Sequence, residues 1–483
     1  MNWQKIKKHD WAITIIVFLL MVLGLLVIFS TTYNATDSAK GAGSMPKQII
    51  FIIVGFLAYF TILSIDFSWF ENRSIVTIIY IGTVLLLLYV KLFGETIAGT
   101  NRWINIGFFT LQPSEYAKIA IILVTAAIFS FREKEPYLHP NLNISRKIKK
   151  KKLTKRILAF FRLQTGHLEY LRMLTINAAL VLPLIVLILI QPALGNSIIS
   201  VAIWLIIVLV LFPNPKQLFV MLLMSTSFGF IAFNIVTISK INGRLIFSIL
   251  ENPGWIIIVG ILAAIALLAW FSRTKFAHVL LIGVISFALI GGIVIGWNYA
   301  LTNYQKTRIE TFLSGPESDP TGAGYQVIQS KIAIGSGMFL GRGFLQGTQS
   351  SLNVLTQAFT DFVFAAFAEQ FGFVGTIIVL ILYLTLILRI IKTGTDASSN
   401  FGKYVALGIA LLLLLQVFIN IGMNLGKLPV TGITLPLMSY GGSSILMTMM
   451  CLGLVQSINT SRKSVDIDDD LMLISHSLVI KEK

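Results

Sequence analysis

Apolar residues in this chain are gathered into long runs separated by short polar breaks, and most of the runs are of membrane-crossing length. A helix that spans the hydrocarbon core needs about 20 mostly apolar residues, with roughly 17 to 25 tolerated. Twelve runs qualify: 11–30, 48–65, 74–93, 114–131, 174–190, 196–212, 217–239, 254–272, 278–298, 361–388, 404–423 and 435–458. Pro183 interrupts one, and Ser225, Ser227 and Asn234 dilute another. Proline is tolerated in a membrane helix where neighbours re-satisfy the freed carbonyl. The pattern therefore predicts an all-α polytopic membrane protein of about twelve spans. The first run is too long for a signal-peptide core and lacks a small-residue cleavage site, so it reads as a retained helix.

Charge sets the orientation. Lys5, Lys7 and Lys8 precede the first span, which predicts a cytoplasmic N-terminus. Alternation then places the 132–172 connection inside. It holds twelve Lys or Arg against three Glu, a net +9 out of +17 for the whole chain. Lys216, Arg273, Lys275, Arg389, Lys392, Lys403, Arg462 and Lys463 fall on the same side, so the 461–483 tail is predicted cytoplasmic as well. Basic loops between spans belong beside anionic lipid, so no nucleic-acid partner is expected. Only 12% of residues are charged, about half the level of a soluble domain. The single cysteine, Cys451, excludes a disulfide framework. No HExxH helix, His cluster or P-loop is present, which disfavours zinc hydrolysis and nucleotide chemistry.

Two predicted external segments stand out. Residues 94–113 form a short polar loop, and 299–360 form a long one rich in Gly, Ser and Gln, with a helical pattern at Val327, Ile328, Ile332 and Ile334. Loops beyond about 12–15 residues in compact proteins are usually functional or disordered; the helical pattern favours order here.

Ionisable groups at membrane depth are costly and are candidates for function. Glu115 and Lys118 follow Gln112, Pro113 and Ser114 at a helix start, three residues apart on one face. An interfacial ion pair and a site role weigh equally for them. Arg102 lies on the same side and can reach an anion. In the long loop, Asp319 sits between turn residues ahead of Gly322, Gly324, Tyr325 and Gln326, with Arg308 upstream. The aspartate suits a general base, a metal ligand or an Asx turn, the last being the commonest use of Asp-Pro. Asp361 and Glu369 enter a later span as a helix N-cap and an interhelical hydrogen-bonding group, or as site residues. Two prolines and three glycines around Ser439 and Tyr440, from Pro429 to Gly442, imply irregular backbone at membrane depth, tolerated where it lines a cavity or is buried in protein.

Gln112-Pro113-Ser114-Glu115 with Lys118, Asp319-Pro320-x-Gly322-x-Gly324-Tyr325-Gln326, Thr360-Asp361-Phe362 with Glu369, and the Pro429 to Ser444 stretch together resemble the SEDS (shape, elongation, division and sporulation) family, which includes RodA and FtsW. The resemblance runs in order from about residue 11 to 460. Ala323, the Ile328 to Gly335 run and Gly347 to Ser350 are nearer the RodA branch.

The resemblance implies a ten-helix core that polymerises lipid II into glycan strands at the outer face of the bacterial cytoplasmic (inner) membrane during cell elongation. It implies a divalent cation, Mg²⁺ or Mn²⁺. Implied partners are a class B penicillin-binding transpeptidase and other elongation-complex membrane proteins. Asp319 matches the family's essential loop aspartate, and Glu115 and Lys118 match its conserved pair. The expected site is Asp319 as base, with Glu115, Lys118, Arg102, Arg308, Gln112, Tyr325, Gln326, Ser439 and Tyr440 on the substrate. Asp319 or Glu115 is expected at the metal. Three features depart from the family. Two extra spans, expected within 217–272, precede the catalytic loop; the 132–172 loop is long; and the family's Gln-Pro-Asp-Leu-Gly reads Gln191-Pro192-Ala193-Leu194-Gly195. A lipid II flippase and a non-catalytic scaffold for cell-wall synthases are the competing classes.

Overall fold

The computed structural model describes residues 8–33, 43–97, 100–107, 109–138, 165–191, 193–211, 303–322, 324–351, 354–355 and 357–461. In chain order the helices are α1 Trp11–Thr32, α2 Ser44–Ser64, α3 Phe67–Phe70, α4 Arg73–Phe93, α5 Pro113–Leu138, α6 Thr165–Ile190 and α7 Leu194–Val210. Then come α8 Asn303–Ser314, α9 Tyr325–Ser336, α10 Thr348–Ser351, α11 Val363–Thr395, α12 Asn400–Asn424 and α13 Gly442–Thr460. Among the described residues, eight helices are long and apolar enough to cross a membrane, and α7 is a shorter apolar helix. These nine coincide with predicted runs. The predicted spans at 217–239, 254–272 and 278–298, and with them the inserted pair, lie outside the described residues, as does most of the basic 132–172 loop.

Two helices form the centre. In α5 and α13, 89% of the spanning stretch is buried in protein, against 22% in α4, whose outer face carries Ile78, Leu85, Leu92 and Phe93. With no water to exclude, such helices associate by close packing, which small residues permit. A Cβ on Gly24 of α1 would stand 2.5 Å from the Met438 carbonyl, and one on Gly453 of α13 would stand 2.8 Å from the Tyr59 carbonyl of α2. Neither position has room for a side chain.

Three expectations need correction. The chain is not purely helical: the 94–113 loop folds as an antiparallel sheet of β1 Glu95–Ile97, β2 Thr100–Ile106 and β3 Phe109–Leu111, in that order. Asn105 pairs with Thr110 and Ile106 with Phe109. Gly107, at φ 74, supplies the left-handed turn residue between β2 and β3. The last span begins at Gly442 rather than at 435, because Pro436 and Leu437 (φ 68) hold the preceding stretch out of a helix.

The third correction concerns α11, predicted as one continuous span over 361–388. It is broken at Gly372 (φ 63, ψ −161). A broken helix leaves amides and carbonyls that must find partners, and residues 338–343 supply them. Phe373 N donates to Met338 O (2.9 Å) and Val374 N to Phe339 O (3.1 Å); Arg342 N donates to Glu369 O (2.9 Å) and Gly343 N to Gln370 O (3.1 Å). The helical pattern expected inside the long loop is present as α9.

Candidate functional site

The loop sheet, the long loop and the irregular stretch before α13 meet at one end of the bundle around a cavity of about 650 Å³. Ser443 joins two of these pieces. Its hydroxyl donates to Thr110 O (2.7 Å) and accepts from Gln112 N (2.9 Å), which ties the entrance of α5 to the entrance of α13. Three cationic side chains, Lys47, Arg102 and Arg308, and two carboxylates, Glu115 and Asp361, line the wall.

Glu115 reaches the cavity from the first turn of α5 and is anchored from below. Lys118 Nζ lies 2.8 Å from Glu115 Oε2 and 3.2 Å from Asn196 Oδ1 of α7, and Asn196 Nδ2 donates to Ser114 Oγ (2.9 Å). Lys118 is fully buried. Expected on the substrate side, it lies beneath the wall in this structure, bound to Glu115 and Asn196. Breaking such a buried pair leaves an uncompensated charge, so Lys118 fixes Glu115.

Arg308, on α8, donates from Nη1 to Val430 O (3.1 Å). Asp361 lies in the turn ahead of α11, partly open to the cavity. Burial pushes its carboxyl above the ordinary range, while Arg308 and, less strongly, Arg102 pull it back down. Tyr440 lines the same wall, its ring 6.1 Å from that of Phe51 and 5.7 Å from that of Phe359.

Of the expected site residues, the structure gathers Arg102, Gln112, Glu115, Arg308 and Tyr440 around the cavity. Ser439, also expected on the substrate, is not among the lining residues. Its buried hydroxyl donates to Thr360 O (2.7 Å) and accepts from Leu435 N (2.8 Å), holding the irregular stretch against the turn before α11. Tyr325 and Gln326 open α9 and lie outside the cavity wall. Asp319 lies outside it too. Its Oδ1 accepts from Gly322 N, three residues on (3.0 Å), and its carbonyl from Gly324 N (3.0 Å), so it closes a local turn directly after the short 3₁₀ segment that follows α8. Glu369 is fully buried away from the cavity, where it accepts from Gln349 N, Ser350 N and the Thr348 and Ser350 hydroxyls.

Lys47 escaped sequence reasoning; its signal was a lysine on the first turn of α2, at the same end as Arg102. Among the described residues, no three His, Cys, Asp or Glu side chains cluster as a metal site.

Comparison with known proteins decides what this architecture belongs to. The family model of the FtsW, RodA and SpoVE cell cycle proteins matches residues 10–254 and 244–464. The chain belongs to the FtsW/RodA/SpoVE family. It is 33% identical over 461 residues to the peptidoglycan glycosyltransferase MrdB of Escherichia coli K12, covering 95% of this chain and 96% of that one. It is 30% identical over 470 residues to the peptidoglycan glycosyltransferase RodA of Treponema pallidum, covering 95% and 99%. Its fold is similar to that of Thermus thermophilus RodA, with a TM-score of 0.53 at 21% identity, covering 94% and 98%. It is also similar to a chain of a peptidoglycan synthase complex that couples polymerization and crosslinking, with a TM-score of 0.59 at 23% identity, covering 94% and 99%. Like other FtsW/RodA/SpoVE proteins, the chain is a multi-pass membrane protein. Ala193 is the buried N-cap of α7 and gives it no side-chain cap.

Proposed function

We propose that this chain is a peptidoglycan glycosyltransferase that polymerises lipid II at the outer face of the bacterial cytoplasmic membrane during elongation. Full-length similarity to proteins named for that activity supports the reading. The observation that carries it is the cavity wall, where Lys47, Arg102 and Arg308 converge from three separate segments. Transfer from a lipid diphosphate develops negative charge on the leaving group, and preorganised cations stabilise that charge as it forms.

Arg102 and Arg308 bind the diphosphate, and their planar forks match its oxygens better than an ammonium does. Glu115, held by Lys118, faces the same space. Its oxygen chemistry suits a hard divalent cation, which typically takes one or two carboxylates together with substrate phosphates. Glu115 would hold such a cation, Mg²⁺ or Mn²⁺, which would supply further charge stabilisation for the leaving diphosphate. Asp319 is the proposed base for the acceptor hydroxyl. It sits one turn beyond α8, the helix that brings Arg308 into the wall, and its turn closes toward the cavity in the productive complex. Catalytic hydrogen bonds commonly tighten only then. A class B penicillin-binding transpeptidase and other elongation-complex membrane proteins are the proposed partners, the first in line with the synthase complex whose fold this chain shares.

Purified protein incubated with lipid II and Mg²⁺, with products resolved on a gel, tests the reading. Glycan strands are expected from the parent and none from Asp319→Asn of equal thermal stability. Transbilayer movement of lipid II without strands would instead favour a flippase, and neither activity would favour a scaffold.

A further inference from the structure

We infer that Asp361 is a positioning residue of this cavity, setting the guanidinium groups of Arg308 and Arg102 where a lipid-linked diphosphate binds. The inference rests on the transferase reading for its ligand, and on the geometry of the turn before α11 for the rest.

An aspartate just ahead of a helix ordinarily caps it, its carboxylate accepting from an amide of the first turn. Here that place is filled from another helix. The N-cap position of α11 is Phe362, which has no side-chain cap. The amide of Ala365 is taken instead by Asn424 Oδ1 (3.2 Å), from α12. The same Asn424 donates to the Asp361 carbonyl (3.2 Å), and so does Asn420, one helical turn earlier (2.9 Å). Two amide side chains thus pin the Asp361 backbone, and the capping that would occupy its carboxylate is done for it.

The carboxylate faces the arginines instead. Gly432, at φ 70, passes close to both groups: a Cβ there would stand 3.6 Å from Asp361 Oδ2 and 4.0 Å from Arg308 Nη1. These are ordinary contact distances, and they place the Asp361 carboxylate and the Arg308 guanidinium side by side over Gly432. Arg308 is steadied on its other flank by the Val430 carbonyl. Two guanidinium groups sharing one cavity repel each other, and a carboxylate near both offsets that repulsion. Beside Arg308 it also restrains that guanidinium, whose plane must be set for bidentate recognition of phosphate oxygens. A carboxylate in an anion-binding wall otherwise works against the ligand, so its placement beside two arginines points to orientation rather than to direct contact.

The test compares binding of farnesyl diphosphate with farnesyl monophosphate by the full-length chain in detergent. The wild type, D361N, R308K and the D361N/R308K double variant are measured, each with its thermal midpoint. The wild type is expected to prefer the diphosphate. D361N is expected to lose at least tenfold of that preference while its midpoint moves little, and the double variant to lose no more than the worse single one. A structural role alone would move the midpoint and leave the preference intact. Should D361N not fold, Asp361→Ser carries the same comparison. Full preference in the folded Asp361 variant, strictly additive losses in the double variant, or no diphosphate preference in the wild type would each overturn the proposal. A wild type that prefers the diphosphate but forms no glycan strands from lipid II would sink the transferase reading and leave the role of Asp361 standing.

Discussion

Glu369 accepts both the amide (3.0 Å) and the hydroxyl (2.7 Å) of Ser350, across nineteen residues of chain and in a fully buried setting. With Thr348 and Gln349 also donating to it, this carboxylate takes up the donors of α10. Hydrogen bonds to a charged group are worth about 1.5–3 kcal/mol each. Glu369→Gln puts an amide hydrogen against one of these donors. We expect it to lower stability by about 2 kcal/mol or more, read as a drop in thermal midpoint in detergent, with the diphosphate preference of the cavity retained.

Lys118→Met leaves the Glu115 carboxylate buried without its cation. Breaking a buried pair from one side costs about 3–5 kcal/mol, and turnover should fall with it because Glu115 is no longer held. Glu115→Gln combined with Lys118→Met should recover much of the stability and none of the activity. A single Lys118→Met variant as stable as the parent would show that the pair is not what holds the entrance of α5.

Gly372→Ala places a Cβ 2.2 Å from the Gly341 amide nitrogen and 2.7 Å from the Leu340 carbonyl carbon, at a φ that disfavours any side chain. Strained backbone and overpacking each cost about 1–3 kcal/mol. We expect this substitution to be among the most damaging in α11, with poor recovery from the membrane; Thr376→Ala, one turn later, serves as the mild control.

His9, just before α1, contributes stability that depends on pH. Burial pushes its ring below the ordinary histidine value, and Asp10 offsets part of that. The folded chain thus prefers the neutral ring. The contribution is fully present above about pH 6.5, the unfolded value, and is lost as pH falls through the lowered folded value. Thermal midpoints measured from pH 7.5 to 5 should decline less steeply for His9→Phe than for the parent.

Topology is tested by cysteine labelling on a Cys451→Ser background. With the 132–172 loop cytoplasmic, Lys150→Cys should resist an impermeant external reagent, whereas a cysteine at Leu345 should react. Labelling at 150 from outside would refute the assigned orientation.

The spans were legible because a membrane helix writes itself as a long apolar run, whatever packs beside it; α1, α2, α4 and α12 needed nothing more. The break at Gly372 was not legible, because the groups that satisfy it come from residues 338–343. Nor was the sheet, since a seven-residue strand carrying Asn, Arg and Thr reads as a polar loop until β3 pairs with it. Glu115 was found by asking which charges lie at membrane depth, and Arg102 and Arg308 by asking which cations in the two external loops can reach an anion. Asp361 was found and read chiefly as a cap. Its release from that duty depends on Asn424, whose partnership with it across the fold no local pattern encodes.

Residues 373–395 form an uninterrupted rod of about 35 Å at 1.5 Å per residue. One end is gripped by the Met338 and Phe339 carbonyls, and near the other end Arg389 lies 3.3 Å from Asp10. A rod joined to the long loop at one end and to the start of the chain at the other is a mechanical linkage across the bilayer. The two ends are not held alike: backbone hydrogen bonds fix the rod to the loop, whereas the exposed Arg389–Asp10 pair is a weak tether, so the rod follows the loop more closely than it follows the N-terminus.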